Sequence, residues 1–176
     1  VKQGAEVRII MTPNAAKFVS PITLSALSRN EVIINMFPDI HDISKAEKTE
    51  TGTWHVNLGI WADVFIIAPA TANTIAKITC GISDNFLLTT VLASRCPVII
   101  APSMDDDMYK NPVTRDNLEK LKNRGYKIID PVFGELASGI TGEGRMAEPE
   151  FIFDRLKEQL LIKKDLYCKK VLITAG

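Results

Sequence analysis

Two short apolar runs constrain this chain more than any other feature: Val64-Phe65-Ile66-Ile67-Ala68 and Pro97-Val98-Ile99-Ile100-Ala101. Neither shows polar alternation and both are too short for a core helix, which is the pattern of strands buried on both faces of a parallel sheet. Parallel neighbours need crossovers, and helical stretches are present to supply them. Strands are predicted at Glu6–Met11, Val32–Ile34, Val64–Ala68, Val98–Ala101, Lys127–Ile129 and Val171–Thr174. Helices are predicted at Pro21–Arg29, Asn57–Trp61, Ala72–Ile78, Asn85–Ser94, Asn111–Arg124 and Pro149–Lys163. This βαβ rhythm predicts an α/β fold, a doubly wound, Rossmann-like parallel sheet flanked by helices, flavodoxin-like in type.

Three segments stand outside the rhythm. Val1–Gly4 reads as the last turn of a helix stopped by Gly4, and His41–Thr53 as a charged, solvated loop. Pro131–Met146 holds Gly134, Gly139, Gly142 and Gly144, four of the ten glycines, and is expected to be a mobile flap rather than a strand.

The 176 residues suit one domain, and 21 basic against 21 acidic side chains leave no excess to attract a polyanion, so nucleic acid is not an expected partner. No apolar run is long enough to cross a membrane and no secretion signal leads the chain, which predicts a cytoplasmic protein. Cys80, Cys96 and Cys168 are widely spaced, without CxxC pairing, which argues against a disulfide framework or zinc site; each is expected to be a small buried hydrophobe. No metal site is expected.

In an open parallel sheet ligands bind beyond the carboxyl ends of the strands. Pro69-Ala70-Thr71-Ala72-Asn73-Thr74 follows the first run; its side chains suit a helix cap, and its free N–H groups equally suit an anion or the edge of a flavin ring. Pro102-Ser103-Met104-Asp105-Asp106-Asp107-Met108-Tyr109 follows the second. Its three acids suit the positive end of a helix; consecutive carboxylates diverge too much for an EF-hand-like metal loop. Gly134-Glu135-Leu136-Ala137-Ser138-Gly139 matches no phosphate loop, no G-x-S-x-G elbow is present, and His55 is a lone histidine that suits a surface or capping role as well as a catalytic one.

Together WADVFIIAPATANTIAK (61–77), GISDNFLLTT (81–90), PSMDDDM (102–108) with Asn111-Pro112, GELASG (134–139) and GEGRMAEP (142–149) resemble the flavin-dependent cysteine decarboxylases. Within them the resemblance is to the phosphopantothenoylcysteine decarboxylase domain of the bifunctional bacterial enzymes of coenzyme A synthesis, over essentially the whole chain. It implies FMN, a small-molecule substrate and a homotrimer or dodecamer. Residues 1–165 would be the decarboxylase domain, lacking the family's first strand and its phosphate turn, and 166–176 a linker and the first strand of a following ligase domain.

The resemblance also implies site residues. Thr12, Ala15, Phe18, Thr71, Ala72, Asn73 and Thr74 would border FMN, with Asp84 and Asn85 in support. His55 would serve the oxidative half-reaction, Met108, Ala137 and Gly139 would lie against substrate, and Asp105 and Ser138 would be catalytic, Asp105 at the position that holds the substrate carboxylate and Ser138 at that of the proton donor. The last two depart from the family, which places asparagine and cysteine there. An aspartate repels a substrate carboxylate unless protonated or paired, and a serine hydroxyl is a far poorer acid than a thiol near ~8.5. A different proton donor, with Cys80 or Tyr109 as candidates, an altered variant, or a flavin-binding domain without full turnover each account for the pair. Competing functions are a flavin-binding scaffold, a peptidyl-cysteine decarboxylase and a flavin prenyltransferase.

Overall fold

The computed structural model describes residues 1–36, 53–160 and 170–175. Its main sheet is built from β1 (Glu6–Met11), β2 (Val32–Ile33), β3 (Val64–Ala70), β4 (Val98–Pro102), β5 (Lys127–Ile128) and β8 (Lys170–Ala175), in the order β2-β1-β8-β3-β4-β5. Every pairing is parallel. The helices are α1 (Pro21–Ser28), α2 (Trp54–Trp61), α3 (Ala72–Cys80), α4 (Phe86–Ala93), α5 (Asp106–Lys110), α6 (Pro112–Asn123) and α7 (Pro149–Leu160), with a short 3-10 turn at Ala15–Lys17. A two-stranded antiparallel hairpin, β6 (Val132–Glu135) and β7 (Thr141–Arg145), completes the described chain.

The unalternated runs are explained by two apolar layers. Phe65, Ile67, Val98, Ile100 and Leu172 pack on one face of the sheet, against Phe86, Leu87, Leu88 and Leu121. Val64, Ile66, Ile99 and Val171 pack on the other, against Ile152, Leu156 and Leu160 of α7. Local chemistry sets the helix ends. Thr71 Oγ1 accepts the Thr74 amide at the start of α3, Asn85 Oδ1 accepts the Leu88 amide at the start of α4, and Asn111 followed by Pro112 opens α6.

The last strand lies where the sequence order alone does not put it. Lys170–Ala175, expected to open a following unit, pairs with β1 from Glu6↔Lys170 to Met11↔Ala175 and with β3 from Val64↔Val171 to Ile67↔Thr174. Among the described residues it joins β2-β1 to β3-β4-β5 into one sheet.

Several expectations need correction. Val1–Gly4 is a single turn, closed by the Gly4 amide on the Val1 carbonyl at 3.0 Å, and not the end of a helix. The glycine-rich stretch, expected to hold no strand, forms the β6-β7 hairpin. Cys80 is exposed at the end of α3. Residues 41–52 of the expected loop, and Cys168, lie outside the described residues. None of the described helices is long and apolar enough to cross a membrane.

Burial pushes the Cys96 thiol up to about 11; a backbone hydrogen bond opposes that and the Asp63 carboxylate adds to it. Alkylation of the folded protein at pH 8 is therefore expected to label Cys80 well before Cys96, because only about one part in a thousand of Cys96 is thiolate there. Peptide mass mapping against time checks this; equal rates at the two positions would contradict it.

Candidate active site

Strand order reverses between β1 and β3, and a crevice opens beyond the carboxyl ends of the strands there. Thr12 follows β1, Ala175 ends β8, Pro69 and Thr71 close β3, and Ser103 follows β4; all five line one cavity of about 660 Å³, within the range of about 300–1,000 Å³ usual for cofactor sites. The strand ends are tied together: the Ser103 amide donates to the Ala70 carbonyl at 2.9 Å and the Thr12 amide to the Ala175 carbonyl at 3.1 Å.

Of the residues that the sequence assigns to the flavin, Thr12, Ala15, Phe18, Thr71, Asn73, Thr74, Asp84 and Asn85 line this cavity, and Ala72 does not. Its walls therefore combine hydroxyl and amide groups with apolar surface from Pro69, Val19 and Leu88. This is a suitable lining for a flat aromatic heterocycle with polar edges. Sequence reasoning left Ser103, Lys77 and Leu88 unassigned. The signals were present: Ser103 sits at a strand's carboxyl end, and Lys77 lies one helical turn after Thr74. Lys77 pairs with Asp84, whose Oδ1 also accepts from Asn85 Nδ2 at 3.2 Å, so this wall carries a paired cation rather than a free one.

Asn85 also caps α4, accepting the Leu88 amide at 3.0 Å. Asn85→Ala is expected to cost about 0.5–2 kcal/mol through the lost cap and to weaken ligand retention at the wall it shares with Leu88. Thermal melts with and without ligand check this. An unchanged melting temperature would contradict the cap's role.

A second group assembles beside the cavity. Asp105 caps α5, and Asp106 and Asp107 occupy its first turn, as expected for the positive end of a helix. The hairpin docks on this loop: the Met104 amide donates to the Gly144 carbonyl at 3.0 Å, and the Glu143 amide to Asp106 Oδ1 at 2.7 Å. Lys110 Nζ reaches Asp106 at 2.7 Å; with the Glu143 amide it holds the Asp106 carboxyl below its ordinary range. The docking explains the glycines. A Cβ on Gly144 would lie 2.0 Å from the Met104 carbonyl oxygen, and one on Gly142 2.6 Å from Asp106 Cβ and Cγ.

Docking also brings Ser138, in the hairpin's turn, to Asp105: Ser138 Oγ donates to Asp105 Oδ2 at 2.5 Å. Ala137, Ser138 and Gly139 are exposed, and Met108 is half exposed on α5. His55 does not line the cavity; it lies within α2, which starts three residues earlier than expected, and its Nδ1 is buried without a partner among the described residues. Neither alternative proton donor faces the Asp105–Ser138 pair. Tyr109 turns its hydroxyl to Asp130 at 3.3 Å and stacks on Arg115, while Cys80 lies about 12 Å along α3 from that helix's first residue.

Comparison with known proteins places this geometry. The family model described as Flavoprotein matches residues 1–161. A cysteine/cysteine sulfinic acid decarboxylase from an unknown prokaryotic organism is 47% identical over 90% of this chain and 43% of its own length. The coenzyme A biosynthesis bifunctional protein CoaBC of Haemophilus influenzae is 42% identical over 99% of this chain and 42% of its own. The chain thus spans less than half the length of these curated relatives. Among solved structures, a cysteine-to-serine variant of PPC decarboxylase complexed with pantothenoylaminoethenethiol superposes with a TM-score of 0.73, at 36% identity over 88% of this chain and 82% of that one. The FMN-binding protein AtHal3 superposes with a TM-score of 0.70, at 35% identity over 88% and 81%.

Proposed function

The chain belongs to the Flavoprotein family, and from that premise we propose that it binds FMN and decarboxylates 4'-phosphopantothenoylcysteine to 4'-phosphopantetheine. The observation that carries the reading is one cavity at the switch point whose lining includes nearly every residue that the motifs assign to flavin, with the PSMDDD loop and the Ser138 turn beside it. The relatives named for coenzyme A biosynthesis and for PPC decarboxylase support the substrate.

When bound, FMN would supply the electron sink that a cysteine carboxylate lacks, taking up two electrons from the thiol-bearing carbon and giving them back after CO2 has left. The chain's own residues do the rest. Thr71, Asn73 and Thr74 would hold the cofactor's polar edge, Pro69 and Leu88 would flank its plane, and the hairpin would close the reacting carbon against the Asp105 loop. His55 is assigned to the oxidative half-reaction by the motif match; it lies on α2 and does not line the cavity. Phe18, 89% exposed at the cavity mouth, and Ile22, 81% exposed on α1, suit burial against another copy, in keeping with a homotrimer or a dodecamer built from four trimers. Residues 1–165 are read as the decarboxylase unit of a longer decarboxylase–ligase protein, cytoplasmic in location.

A second substrate reading rests on Asp105: an anion suits an α-ammonium group, which free cysteine has and its acylated derivative lacks, and one relative is named for cysteine decarboxylation. Purified protein tests both readings. It should be yellow, release FMN on denaturation and liberate CO2 from phosphopantothenoylcysteine faster than from cysteine. Asn73→Ala and Thr71→Ala should each weaken FMN binding about tenfold, the equivalent of one hydrogen bond. Protein without flavin would overturn the proposal, and faster release from free cysteine would favour the second reading.

A further inference from the structure

Decarboxylation consumes a proton. The oxidation and its reversal cancel, so the net change is the carboxylate carbon leaving as CO2 and one proton joining the α-carbon that carried it. No group described so far is an obvious source. The Ser138 hydroxyl is too weak an acid, Tyr109 is committed to Asp130, and Cys80 is remote.

We propose that Asp105 is that source, and that it acquires the proton from the substrate's arrival; the inference rests on the decarboxylase reading above. Asp105 Oδ2 accepts the Ser138 hydroxyl at 2.5 Å, which fixes the carboxyl group across the docked hairpin. Its Oδ1 has only a long contact, 3.4 Å, with the Asp107 amide, and so remains available. Among the described residues, the cations on the segments that meet at Asp105 are already paired. On its own segment, Lys110 is bound to Asp106, and Asp106 and Asp107 add negative charge. From the hairpin come the acid Glu143 and Arg145, the latter engaged by Glu148 at 2.5 Å.

A substrate carboxylate placed against Asp105 therefore makes a carboxylate pair without a free counter-ion among these described side chains. Two such groups hold one proton between them, because the like charge raises the affinity of whichever group takes it. Protonated Asp105 donates a hydrogen bond to the substrate carboxylate, the task an amide would perform at this position. Once the C–C bond has broken and CO2 has left, the electron pair on the α-carbon takes the same proton, and Asp105 is left ionised for the next substrate. Asp105 is thus a catalytic acid and Ser138 a positioning residue. One pair of side chains replaces both a separate carboxylate binder and a separate acid.

Proton uptake on binding tests this without turnover. The flavin-loaded protein is titrated calorimetrically with phosphopantothenoylalanine, which keeps the carboxylate but lacks the thiol, in buffers of different ionisation enthalpy at pH 7. The wild type is expected to take up about one proton per site, and Asp105→Asn none, since asparagine keeps both the α5 cap and a hydrogen-bond donor. In turnover D105N should lower kcat by about 10²–10⁴, the usual contribution of a general acid, without raising KM. Adding S138C to D105N should restore much of the rate by supplying a thiol. CO2 release by the wild type with no proton uptake would overturn the role of Asp105 while leaving the decarboxylase reading intact. Absence of both analogue binding and CO2 release would overturn the two together.

Discussion

Alanine at Gly144 is expected to lift the hairpin from the loop after β4 and to abolish most of the activity. The added Cβ would lie 2.0 Å from the Met104 carbonyl oxygen, a backbone atom that no rotamer change relieves. Overpacking of this kind costs about 1–3 kcal/mol, enough to favour the undocked hairpin. The Met104–Gly144 and Glu143–Asp106 hydrogen bonds would then be lost together, and Ser138 would move away from Asp105. Because β6 and β7 belong to a separate two-stranded sheet, the six-stranded core should keep its melting temperature and its flavin. Hydrogen exchange at the Met104 and Glu143 amides, measured beside kcat, checks this. Slow exchange with full activity would contradict the docking.

Leu172→Ala should have the largest effect on stability, about 2–5 kcal/mol for a leucine that is fully buried. Leu172 pairs with Arg8 on one side and Phe65 on the other, at the middle of the strand that joins the two parts of the sheet. Ala175, three residues on, lines the cavity, so loosening β8 should also weaken flavin binding. Denaturant unfolding with and without FMN measures both. A variant with unchanged stability and flavin affinity would assign the strand to a following unit, as its sequence resemblance suggests.

The elements that sequence patterning located well are those whose physics is local. Runs such as VFIIA have no polar face, and the strands they predict are buried on both sides. Thr71, Asn85 and Asn111-Pro112 are caps readable one helix at a time, and boundaries there differ by only one or two residues. The hairpin was not legible. Its glycines suggest a loop by composition, whereas the space they leave is dictated by Met104 and Asp106, which meet β7 only in the folded chain. The five-residue α5 and the 3-10 turn are too short to show a period.

The site divides in the same way. Motif-borne residues such as Thr12, Thr71 and Asn73 converge because they follow strand ends that the fold brings together, and Asp84 joins them from the connection between α3 and α4. The Asp105–Ser138 hydrogen bond spans 33 positions and depends on hairpin docking, so each residue looked like an isolated departure from a family pattern. The contact makes the two departures one feature. The insertion of β8 between β1 and β3 was equally invisible, because sequence order does not specify which gap in a sheet a late strand fills.

The most direct measurement supplies the flavin-loaded protein with phosphopantothenoylcysteine labelled in its cysteine carboxyl carbon, and follows gas and product together. Labelled CO2 and 4'-phosphopantetheine are expected in equal amounts, with the flavin oxidised at the start and at the end. Protein that holds FMN in this cavity yet returns the labelled substrate unchanged would contradict the proposed function.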